Sequence, residues 1–183
     1  KRQVFKEGTY EIESERRGYA LELAVDFVRM EYTRHRFWEK DDTPVVPLKS
    51  QTLEDVIETW PQGKINVRIG DYMFRPHQKW TITAVPDGGG YLGGPYYKIV
   101  IEGTNRALAA TANAEVVTVP EFTGAPEQLW RIDQLTDGTY RIMPKEVPGT
   151  DKELVLVSVG DSTPSLGEFD MNSDNSKWNF RDH

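Results

Sequence analysis

Chemistry at a protein surface needs particular side chains at particular spacings, and this sequence supplies few such sets. It has no cysteine, which excludes thiolate nucleophiles, disulfides and cysteine-ligated metal. Its three histidines are His35, His77 and His183, and none has a second histidine at a metal-ligand spacing. Asp and Glu number 29, so some carboxylates must lie close together, yet none falls in a motif for general acid–base work. Ser158, Ser162 and Ser165 lack the strand–turn–helix context of a nucleophile elbow. Gly88-Gly89-Gly90 lies between strand-like runs rather than ahead of a helix, so it reads as a turn and not as a phosphate cradle. The expectation is a non-enzyme with no metal and no cofactor, although a longer parent chain could carry a catalytic domain. What remains is rings. There are five Trp, eight Tyr and seven Phe. Flat rings beside amides and carboxylates suit the apolar faces and hydroxyls of sugars, or a protein contact.

The elements that must position these rings repeat three times. An opening string recurs as Gly8-Thr9-Tyr10-Glu11-Ile12, Pro95-Tyr96-Tyr97-Lys98-Ile99 and Gly138-Thr139-Tyr140-Arg141-Ile142. Tyr and Ile two apart share one face of a strand, with a charged residue facing water between them. An apolar string follows as Thr43-Pro44-Val45-Val46-Pro47-Leu48, Ala114-Glu115-Val116-Val117-Thr118-Val119 and Thr163-Pro164-Ser165-Leu166-Gly167-Glu168-Phe169. A closing string ends each unit: His77-Gln78-Lys79-Trp80-Thr81-Ile82, Glu127-Gln128-Leu129-Trp130-Arg131-Ile132 and Asn175-Ser176-Lys177-Trp178-Asn179-Phe180. The closing Trp are 50 and 48 residues apart.

Turn signals at Asp87-Gly88 and Asp137-Gly138 separate a closing string from the next opening one. One short helix is expected near Thr52–Glu58. Three units of about four strands predict an all-β chain, a β-trefoil of about twelve strands in a single domain over residues 1–183. The units span about 8–84, 95–134 and 138–183. Trp80, Trp130 and Trp178 are expected in the core as one threefold set, with Tyr10, Tyr97 and Tyr140 as another.

Bulk properties narrow the partners. The net charge is -7, which repels phosphate backbones, so no nucleic-acid partner is expected. No apolar run is long enough to cross a membrane as a helix, so no membrane partner is expected either. The compartment is unknown, with an extracellular one preferred over the cytoplasm.

The closing strings resemble the Gln-x-Trp signature of ricin-B-type lectins and of the related carbohydrate-binding modules attached to glycoside hydrolases. Gln78-Lys79-Trp80 and Gln128-Leu129-Trp130 keep the signature, and Ser176-Lys177-Trp178 replaces its Gln. The resemblance implies a structural Trp, with sugar bound elsewhere. The sugar pocket would use an Asp near the second strand, a ring on the following segment, and an Asn or His just before Gln-x-Trp. In the second and third units the second strand, Arg106–Thr111 and Glu153–Ser158, has no Asp; in the first, Glu22 or Asp26 could serve. The third unit is the expected site, because Phe169 stands where the ring should be and Asp170, Asn172, Asp174 and Asn175 follow it. The plainer reading of Asn172–Asn175 is a polar turn.

The first unit is longer than the others: Tyr to Trp spans 70 residues there, against 33 and 38. The excess is placed at about 26–42 and 51–75, with Lys64–Ile69 as an added strand. Trp38 and Trp60 are the two Trp the repeat does not require. They are either stacking rings for a glycan or the packing of a satellite core. The leading function is a lectin-like carbohydrate-binding module, free-standing or attached to a secreted glycoside hydrolase. The alternatives are a protein partner, as in fungal-type trefoil protease inhibitors with loops such as Val147-Pro148-Gly149 or Val119-Pro120-Glu121, and a purely structural accessory domain.

Overall fold

In the computed structural model, residues 5–16, 18–25, 60–91, 94–159 and 163–182 are described. Burial alternates along some of the strands, although Glu11, expected to face water between Tyr10 and Ile12, is itself buried. In β1 (Gly8–Ser14) Tyr10 and Ile12 turn inward, and in β3 (Ile65–Gly70) Ile65, Val67 and Ile69 do, as a strand with one wet face requires. The other strands are β2 (Ala20–Leu23), β4 (Trp80–Tyr91), β5 (Gly94–Ile101), β6 (Ala107–Ala110), β7 (Val116–Val119), β8 (Trp130–Gln134), β9 (Tyr140–Pro144), β10 (Val155–Val159), β11 (Thr163–Gly167) and β12 (Trp178–Asp182). Single 3-10 turns at Pro76–Gln78, Pro126–Gln128 and Asp174–Ser176 lead into β4, β8 and β12.

Six strands close on themselves. β1 pairs with β4 and β12, β4 with β5, β5 with β8, β8 with β9, and β9 with β12. A closed ring leaves no strand edge open to another chain. The hairpins β2–β3, β6–β7 and β10–β11 form the second layer. This is the all-β, twelve-strand trefoil that the repeats predict. Each closing Trp faces the opening Tyr of its own unit, as Tyr10↔Trp80, Tyr97↔Trp130 and Tyr140↔Trp178.

All three closing Trp are fully buried. A buried indole N–H without an acceptor costs about 1–3 kcal/mol. Here each donates to a leucine carbonyl of the hairpin layer: Trp80 to Leu21 at 2.8 Å, Trp130 to Leu108 at 2.8 Å and Trp178 to Leu156 at 2.9 Å. These bonds tie the hairpins to the barrel and align the units. Donor and acceptor are 22 residues apart in the second and third units and 59 apart in the first.

Two expectations need correction. β3 is not an added strand; it pairs with β2 as β7 pairs with β6 and β11 with β10, so it is the first unit's own third strand. The excess chain therefore lies between β2 and β3, and Thr43–Leu48 is not the counterpart of β7. Thr43–Leu48, the helix near Thr52–Glu58, Asp26, His35 and Trp38 all lie outside the described residues.

The barrel floor holds a ring that has no place in the repeat. Phe5 stands among all three opening tyrosines, with centroids 5.3 Å from Tyr10 and 5.7 Å from both Tyr97 and Tyr140, and 4.7 Å from Phe180. The Tyr97 hydroxyl donates to the Phe5 carbonyl at 3.1 Å and the Tyr10 hydroxyl to that of Lys6 at 2.6 Å.

Candidate functional site

The Trp–Leu bonds show which residue of each unit occupies the second-strand position just after the accepting leucine. It is Glu22 after Leu21, Ala109 after Leu108 and Val157 after Leu156. Only the first unit places a carboxylate there. Glu22 is buried, and it is well supplied with donors. Gln78 Nε2 donates to Oε1 at 2.9 Å, Arg68 Nε donates to Oε2 at 2.8 Å from the facing strand, and His77 Nε2 lies 3.4 Å from Oε2. Burial by itself pushes the carboxyl pKa up, but the contacts with His77, Arg68 and Gln78 outweigh it and hold the group below its ordinary range. A methyl group at Gly70 would stand 3.0 Å from Glu22 Oε1, so the end of β3 suits glycine.

Gln78 does a second job. Its Oε1 accepts from the Met73 N–H at 2.8 Å, and its Nε2 donates to the Asp71 carbonyl at 2.7 Å. One amide thus joins the buried carboxylate to the loop between β3 and the 3-10 turn. In the second unit Gln128 Oε1 accepts from the Thr123 N–H at 2.7 Å in the same way. In the third, Ser176 is too short to span the loop and donates instead to the Asp170 and Ser173 carbonyls, at 3.0 and 3.2 Å.

The loop that Gln78 holds ends in Tyr72-Met73-Phe74. Phe74 is 70% exposed, Met73 is also exposed, and the Tyr72 and Phe74 rings are 4.7 Å apart. Phe74 has φ 58°, while Gly124, also four residues before its unit's Gln, has φ 85°. A left-handed backbone costs a residue with a Cβ about 1–2 kcal/mol. The first unit therefore keeps an exposed ring where the second uses the unstrained residue.

The third-unit residues gather in one loop, and part of their polar set is engaged in holding it. Asp170 Oδ1 accepts from the Asn172 N–H at 2.9 Å, and Ser173 Oγ from the Asn175 N–H at 3.2 Å. Asp174 lies 3.9 Å from Lys177, which sits 3.1 Å from Asp137. Phe169 is half-buried, and the Arg141 guanidinium lies 5.1 Å from its centroid, so a cation already occupies a face of the ring.

Trp60, expected as a stacking ring, lies in the hydrophobic core at 8% exposure. It is not an open platform. It also lines a cavity of about 430 Å³ with Gln62, Asn105, Arg106 and Glu121. Arg106 is 7% exposed and donates to the Gly63 and Pro61 carbonyls at 2.7 and 3.1 Å, which docks the chain returning from the long connection onto the second unit. Of the two loops considered for protease inhibition, Val147 is a buried core residue and Glu121 accepts from Asn105 Nδ2 at 3.0 Å. Among the described residues no group of three or more His, Asp or Glu is placed to hold a metal, and no helix is long and apolar enough to cross a membrane.

This barrel, with its Gln-x-Trp turns and their bonded tryptophans, defines a β-trefoil. Residues 76–165 match the family model described as ricin-type beta-trefoil lectin domain-like. No curated protein matches the chain. Among solved structures, a designed threefold-symmetric protein, ThreeFoil, is 18% identical with a TM-score of 0.61, over 96% of this chain and 99% of that one. SeviL bound to asialo-GM1 saccharide is 13% identical with a TM-score of 0.53, over 97% and 98%. A mosquitocidal holotoxin is 15% identical with a TM-score of 0.64 over 98% of this chain, which spans 18% of the toxin's length. At such identities the likeness is one of fold.

Proposed function

We propose that this chain is a non-catalytic carbohydrate-binding module whose main glycan site lies on the first unit. The carrying observation is the double role of Gln78, which fixes Glu22 below and the Tyr72–Phe74 loop above. The first unit thereby unites the three groups that the ricin-B resemblance implies: a second-strand carboxylate, a histidine just before Gln-x-Trp and a nearby ring. In this reading Phe74 stacks on the apolar face of a pyranose and Arg68, partly exposed, donates to its hydroxyls. Glu22 and His77 form the buried base that holds Arg68 in place. The structure of SeviL with a saccharide supports glycan binding by this fold. Attachment to a longer chain, such as a secreted glycoside hydrolase, is part of the same proposal.

A glycan array followed by titration tests it. Phe74→Ala should weaken the best ligand at least ten-fold without lowering the melting temperature. The double variant Phe169→Ala, Asn172→Ala should bind like the wild type. If the double variant loses binding and Phe74→Ala does not, the site belongs to the third-unit loop. If no glycan binds the wild type, the carbohydrate reading fails and a protein partner takes its place.

A further inference from the structure

We infer that the cavity between the returning chain at residues 60–63 and the second unit is a second saccharide site, and that it takes a neutral pyranose. The inference shares with the proposed function only the premise that the chain binds sugars; it uses none of Glu22, Arg68, Phe74, His77 or Gln78. The cavity of about 430 Å³ falls in the ~300–1,000 Å³ range of small-molecule sites. Its lining combines an indole with donors and acceptors of hydroxyl-binding type: Trp60, the amides of Gln62 and Asn105, the Arg106 guanidinium and the Glu121 carboxylate.

One of these polar groups, the buried Arg106, is fixed in advance. Backbone carbonyls of Pro61 and Gly63 hold Arg106, and Thr118 Oγ1 lies 3.4 Å from its Nη1. Among the described residues no carboxylate contacts the guanidinium, although buried charges are ordinarily paired. It therefore stands as an oriented cation in the cavity wall, with N–H groups beyond those three bonds. Asn105 Nδ2 donates to Glu121 Oε2 at 3.0 Å. That bond orients both side chains and leaves Asn105 Oδ1 and Glu121 Oε1 as acceptors. Arg106 at least has little side-chain freedom left to lose when a ligand enters.

Charge decides the class of sugar. One cation and one carboxylate line the cavity, so its own balance is neutral. A uronate or sialate would meet Arg106 but also Glu121, and would approach a chain of net charge -7. A neutral sugar meets no such opposition, and its hydroxyls can both accept from Arg106 and donate to Glu121.

The test follows the Trp60 indole N–H by two-dimensional NMR, with Trp60→Phe identifying the signal. Wild-type protein is titrated with the methyl glycosides of galactose, glucose, mannose and N-acetylglucosamine, and with methyl glucuronide as the anionic member. At least one neutral glycoside should shift the Trp60 signal in a saturable way. The exposed pair Asn105→Ala, Glu121→Ala should weaken that binding at least five-fold while Phe74→Ala leaves it unchanged. Shifts confined to the first unit around Arg68 and Phe74 would overturn this site and leave the proposed function standing. A Trp60 shift with methyl glucuronide alone would overturn the neutral class. No shift from any glycoside, on a protein that is also blank on the glycan array, removes both readings together.

Discussion

Phe74 carries a cost that its structural counterpart avoids. It holds φ 58° where Gly124 holds φ 85°, and its ring is mostly exposed, with the Tyr72 ring as a contact that offsets part of the strain. Phe74→Gly should therefore raise stability by about 1 kcal/mol, seen as a later urea midpoint, while glycan affinity falls at least ten-fold. A variant that loses stability as well would mean the ring packs on something and is not primarily a binding surface. Trp130 shows the opposite balance. It is fully buried and its N–H is satisfied by Leu108, so Trp130→Ala should cost about 3–5 kcal/mol. Denaturant melts read both changes on one scale. In the sequence Glu22 is visible as a possible pocket carboxylate, and His77 only as part of a closing string. Their meeting is not, because the strand register that sets Glu22 opposite Arg68 and the bond to Gln78, 56 residues away, are tertiary facts.

At the scale of elements, repetition made the barrel legible. Tyr-x-Ile and Gln-x-Trp recur because the same pair of strands must meet three times, and the structure pairs each Tyr with its own Trp. The hairpin layer was harder to read. Thr43–Leu48 has the right apolar look, but the strand opposite β2 is Ile65–Gly70. Apolar content alone does not set register across a long connection. The surplus Trp60 belongs to the core because the chain returning into β3 must cover the second unit, where Arg106 anchors it. The plug was not legible at all. Phe5 precedes the first repeat string and has no counterpart in the other units. Its removal should be felt along the whole floor, since it touches three tyrosines and Phe180. Phe5→Ala should lower stability by about 2 kcal/mol and leave first-unit glycan binding unchanged, as paired melting and titration experiments can show.

For the molecule as a whole, one carboxyl on the outer face of the barrel sets a pH dependence. Glu11 is pushed up to about 7, first by burial and then by Glu13, against the pull of Arg181. The unfolded chain ionises this group near ~4.5, so the folded state holds its proton longer. Stability must fall as pH rises between those two values. Glu11→Gln removes the titration, and its melting temperature should drop less than that of the wild type between pH 5 and pH 8. Equal drops would assign the slope to other groups. The same strand also sets the timing of folding. β1 is bonded to β12, with Tyr10 opposite Asp182, so the first of the described strands is completed by the last of them. A ribosome makes these partners far apart in time, since Glu13 and its ion-pair partner Arg181 are 168 residues apart. Until β12 emerges, β1 presents a bare edge and the Trp178 position is empty, so the nascent domain depends on chaperones or on speed until then.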